Sequence, residues 1–140
     1  MEFNIANDYK NPPASKRDLM SIKQAFPEIP KEMIRFWTFT NGVENIYDQK
    51  IFSVSDTIFQ NDLLNVKIHD PFYMLIGFDG EKGLLIKLSD HGDQLDKRLY
   101  ALDLNYLGEI KPAIIADSFR GWLRQNFGVL VSDDKGSGML

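Results

Sequence analysis

The chain has 140 residues, 44% hydrophobic and 26% charged, which is enough apolar surface for one sizeable core and too much for a disordered chain. Its formal charge of −4 argues against a nucleic-acid binder, which needs a basic face for phosphates. Cysteine is absent, so disulfides, thiolate metal sites and a cysteine nucleophile are excluded together.

Residues 1–14 end in Asn11-Pro12-Pro13-Ala14 and read as a leader, without the basic and apolar regions of a secretory signal. No stretch approaches the roughly 20 apolar residues of a membrane span, so a soluble, cytoplasmic protein is expected. Ser15 with Asp18 three residues later forms a capping pattern, and Leu19, Ile22 and Phe26 then recur on one helical face. Pro27 ends that helix. Pro30 suits the first turn of a second helix, where its missing N–H costs nothing. At about 100° per residue, Met33, Ile34, Phe36, Trp37 and Thr40 cover more than half the circumference, with Phe39 at the margin. Such a helix belongs wedged against a sheet, and Asn41-Gly42 supplies the left-handed position that stops it.

Residues 44–47 and 50–53 read as short strands. Ser55 is expected to cap a short helix covering Ile58, Phe59, Leu63 and Leu64. From 72 to 78 every residue that bears a side chain is apolar, as in a strand buried on both faces. Asp79-Gly80-Glu81-Lys82 turns the chain, and 84–88 returns with Leu84, Ile86 and Leu88 on one face and Lys87 on the other. A polar loop at 89–97 leads to a third strand at 98–102, so the three strands form an antiparallel meander. Asp117 is expected to cap a last helix whose Phe119, Trp122, Leu123 and Phe127 fall within an arc of about 140°. Gly128 sits just past its end, and 129–140 reads as a flexible tail. These elements predict a single α+β domain over residues 15–128, mainly antiparallel sheet with helices packed on it.

Residues for catalysis are sparse. The two histidines, His69 and His91, each stand beside an aspartate in a predicted loop. Asp90-His91-Gly92-Asp93 lacks the three or four convergent ligands a metal needs, and Asp79-Gly80-Glu81 is a hairpin turn rather than a calcium loop. Neither a phosphate-cradling glycine motif nor a nucleophile elbow occurs. The expectation is a protein that is not an enzyme and has no cofactor or metal. Charge distribution is more informative. Residues 44–81 hold seven acids (Glu44, Asp48, Asp56, Asp62, Asp70, Asp79, Glu81) against Lys50 and Lys67, a local charge of −5. If these form one surface, it attracts a basic partner and speeds the encounter; the alternative is scattered, solvated loop charge. Glu44, Tyr47, Asp48, Asp56 and Asp62 are the partner-binding candidates.

Three segments together resemble the SUKH superfamily. A second helix opens on Ile29-Pro30, runs through Phe36-Trp37 and stops at Asn41-Gly42. An apolar strand ends in Leu75-Ile76-Gly77 before Asp79-Gly80, and a last helix opens on Asp117-Ser118-Phe119 and continues to Trp122-Leu123. The resemblance covers residues 15–128; Val43 and the segment from Phe78 to Gly83 depart from the family's glycine-richer loops. It implies helices on an antiparallel sheet, no catalysis, and function by binding a protein. The superfamily includes bacterial immunity proteins that bind and block a cognate toxin, often a basic nuclease, in polymorphic or contact-dependent systems. It also includes fungal regulators of cell-wall glucan synthesis, so an intracellular adaptor without a toxin partner is the alternative. The resemblance carries no shared binding residue, and the oligomeric state is left open.

Overall fold

The computed structural model describes residues 3–88 and 97–129. The predicted metal-like run Asp90-His91-Gly92-Asp93 and the tail beyond Val129 lie outside these residues. Helices α1 (Lys16–Ala25) and α2 (Lys31–Phe39) come first, then strands β1 (Val43–Glu44) and β2 (Gln49–Ile51). Helices α3 (Val54–Leu63) and α4 (Val66–His69) precede β3 (Tyr73–Asp79), β4 (Lys82–Lys87), β5 (Leu99–Leu102), β6 (Ala113–Ala116) and α5 (Phe119–Phe127). Every strand pairs antiparallel with its neighbour in the chain, giving one six-stranded sheet in the order β1-β2-β3-β4-β5-β6. The α+β class and the β3–β5 meander are as the sequence predicts.

Caps explain where the helices begin. Ser15 Oγ accepts from the Asp18 N–H at 3.0 Å, as its spacing predicts. The third helix is capped two residues earlier than expected, by Ser53 rather than Ser55, with Oγ accepting from the Asp56 N–H at 3.2 Å. Its extended backbone leaves Val54, not Thr57, as the first buried helical residue. Ser118, not Asp117, caps α5 and accepts from the Gly121 N–H at 2.9 Å. Pro30 is itself the cap position of α2, one residue before the first turn.

The sheet is covered on both faces. On one, α1, α2 and α5 bring Ile22, Met33, Phe36, Trp37, Phe119, Trp122 and Leu123 onto Met74, Ile76, Leu84, Ile86 and Leu99. On the other, Val66 of α4 and Leu107 cover Phe52, Tyr73, Leu75, Leu85, Tyr100 and Leu102. Leu85 therefore belongs to the second layer, on the side where the sequence reading placed Lys87. Burying a Leu, Ile or Phe side chain is worth about 1.5–3 kcal/mol, so both layers hold the sheet flat against its covers. The Phe36-Trp37 pair is fully buried, and the Trp37 indole N–H donates to the Phe52 carbonyl at 2.9 Å, tying α2 to the end of β2. Phe39 is half-buried at the margin, against Phe3 and under the Lys10 ammonium.

Residues 3–14, expected as a leader, pack into the domain. Phe3 and Ile5 are core residues, the Ala6 N–H donates to the Phe127 carbonyl at 2.8 Å, and the Ala14 N–H donates to Trp37 at 2.9 Å. Two glycines fix the centre. Gly42 has φ +96°, the left-handed position foreseen after Asn41. A Cβ on Gly77 would lie 1.9 Å from the Lys50 carbonyl oxygen, so β2 and β3 approach backbone to backbone there. Past that point β2 leaves the sheet, its last bond running from the Phe52 N–H to Ile76 O. The buried amide of Asn61 takes the next position on β3, accepting from the Leu75 N–H at 3.0 Å and donating to Leu75 O at 2.8 Å.

Candidate protein-binding surface

The β1–β2 hairpin is held in one shape by a single asparagine. Asn45 Oδ1 accepts from the Tyr47 N–H at 2.9 Å and the Gln49 N–H at 3.2 Å, an Asx turn that folds the tip over its own side chain. Asp48 takes the left-handed conformation at φ 58°, which aspartate tolerates better than a branched residue. Its carbonyl accepts from the Gly80 N–H at 2.9 Å, fastening the tip to the β3–β4 turn. Gln49 Nε2 adds a 3.0 Å bond to Asn126 Oδ1 on α5. This rigid tip presents Ile46 and Tyr47 to solvent, 88% and 72% exposed.

Asp48 and the turn residue Glu81 are exposed beside them, with Asp79 half-buried opposite Gln49. Glu44 is exposed but lies opposite Lys50, and Asp79 lies opposite Lys82, so each is partly neutralised. Two large apolar side chains framed by acids on a fixed backbone match what protein interfaces use: an aromatic anchor at low entropic cost, with charge at the rim.

The five sequence-predicted residues do not form one surface. Glu44, Tyr47 and Asp48 meet at the hairpin. Asp56 and Asp62 lie on the outward face of α3, opposite its buried Val54, Thr57 and Asn61. The hairpin is anchored at Gly80 and α3 at Leu75, five residues apart along β3, or about 16 Å at 3.3 Å per residue. On α3 the acids flank Phe59 and Leu63, which are 59% and 61% exposed although the sequence reading had the helix cover them. The reason is the inner face: Thr57 and Asn61 occupy the buried positions where apolar residues are expected. Ile46, Phe59 and Leu63 thus join the candidates through exposure that no sequence pattern marks.

A groove of about 560 Å³ lies across the second face of the sheet, between His69-Asp70, Phe72-Tyr73, Lys87 and the segment from Gly108 to Pro112. Burial pushes the Asp70 carboxyl above its ordinary value, partly offset by a hydrogen bond from the Phe72 N–H. His69 and Asp70 share this groove, with exposed Phe72 and Ile110 giving it an apolar lip. Among the described residues, no group of three or more His, Asp or Glu side chains is placed to hold a metal ion, and no helix is long and apolar enough to cross a membrane. Comparison with protein-family models and with curated proteins returns no match.

Proposed function

We propose that this chain is a non-catalytic protein-binding domain of the SUKH type, acting as a bacterial immunity protein that occludes a basic, nuclease-like toxin domain. The observation that carries the reading is the hairpin tip, where Ile46 and Tyr47 stand exposed on a hydrogen-bonded turn among Asp48, Glu81 and Glu44. The fold and the order of the Ile-Pro, Asn-Gly, Ile-Gly and Asp-Ser-Phe segments support it. A nuclease that grips phosphate presents a basic surface; acids around an aromatic anchor steer such a partner in and then hold it.

The test partner is the protein encoded immediately upstream, with protection from its toxicity as the cellular readout. Glu44→Lys with Asp48→Lys should slow association about tenfold or more at low salt, and Tyr47→Ala should weaken binding by about 1–2 kcal/mol. Asp56→Lys with Asp62→Lys reports on α3 separately. If the upstream protein neither binds nor poisons unprotected cells, immunity is wrong; if it binds the folded variants like the wild type, these two surfaces are not the interface.

A further inference from the structure

The two edges of the sheet are built differently. β1 is two residues long and bears exposed Glu44. β6 is twice that length and reads Ala113-Ile114-Ile115-Ala116, with no charged or polar side chain. Among the described residues it pairs with β5 alone, so its other edge has no neighbour. Ile114 and Ile115 are 51% and 42% exposed, and Ile110 just before the strand is 53% exposed. An open apolar edge is a template for another strand, and proteins that stay monomeric blunt it with lysine, proline or charge. Here Pro112 and Asp117 stand outside the strand and leave its four residues unprotected.

We infer that β6 pairs antiparallel with β6 of a second copy, joining two sheets into one across a two-fold axis. An axis perpendicular to the sheet near Ile114 sets this residue beside its own mate and apolar residues beside apolar ones. A charge at the centre of such a pairing would face itself, and the strand has none. Net charge makes the choice of edge meaningful: two copies at −4 repel, and close approach costs least where the acids are farthest. β6 lies four strands from β2 and its acidic hairpin, about 19 Å at 4.8 Å per strand, beyond the Debye length of about 8 Å. A basic partner has its attraction at that hairpin, not at β6.

The register of β6 against β5 shifts around Ile115, which is the extra residue between Ile114 and Ala116. This bulge bends the strand and keeps the pairing short, so the dimer belongs with small, weak interfaces of less than about 1,200 Å².

Sedimentation velocity on the full chain, from about 1 µM to 1 mM so as to bracket weak complexes, tests this. The expected mass moves from 16.1 kDa toward twice that value as concentration rises. Ile114→Lys and Ile114→Glu should each stay monomeric and folded by circular dichroism, while an equimolar mixture recovers the dimer because lysine then meets glutamate across the axis. A wild type monomeric throughout overturns the inference. So do single variants that dimerise like the wild type, or a mixture that remains monomeric.

Discussion

At two places in this sheet a strand's backbone runs out of partners, and the chain treats them in opposite ways. Leu75 lies just past the last β2–β3 bond and is fully buried; there the Asn61 amide supplies both an acceptor and a donor, acting as a one-residue substitute for the missing strand. β6 loses its neighbour along its whole outer edge, and among the described residues no strand replaces it. Its exposed backbone is satisfied by water, whereas an unpaired group at Leu75 would cost about 1–3 kcal/mol. Solvent access, not the loss of a strand, decides where a side chain must be recruited. The same access leaves β6 able to bind.

The largest expected effect is at the closed position. Asn61→Leu removes the bonds to Leu75 N–H, Leu75 O and Thr57 O, strands buried backbone groups, and should cost about 2–5 kcal/mol in urea unfolding. A loss below about 1 kcal/mol would show that the amide is not what closes β3. Hydrogen exchange gives a second measure. The Leu75 amide should exchange only through global unfolding, while amides on the free edge of β6 exchange quickly in dilute solution and slow as concentration rises. Equal protection at both positions would erase the contrast. The smallest effect is Ile114→Lys, which should shift the stability of the monomer by no more than about 0.5 kcal/mol, although it changes an apolar residue to a charge.

Much of the fold was legible because its strongest signals are long and self-consistent. The apolar run into Gly77, the turn at Gly80 and the return through Leu84 and Ile86 define the meander without any tertiary information, and the aromatic spacing in α5 defines its buried stripe. Short elements were not legible: α4, the turn from Leu104 to Tyr106 and β6 each span four residues or fewer, too few to establish a period. Misplaced caps came from neighbouring residues that are equally good in isolation, Ser53 against Ser55 and Ser118 against Asp117, where the backbone conformation makes the choice. In the candidate surface, charge drew attention to Tyr47 and Asp48. Phe59 and Leu63 stayed hidden because a large apolar residue in a helix reads as core, and only the buried Thr57 and Asn61 turn that face outward.

The sheet's strand order is its chain order, and that sets a timetable for folding. Each strand finds its partner among residues just made, so the meander pays little loop-closure entropy before its contacts form. The opposite holds for Phe3, Ile5 and Tyr9, which pack with Phe36 and Phe127 and whose neighbouring Ala6 bonds to the Phe127 carbonyl across most of the chain. We expect the middle of the domain to assemble first and the early segment to close against α5 last. In pulse-labelled exchange, amides of β3 to β5 should then gain protection before the Ala6 amide, and simultaneous protection would refute this order.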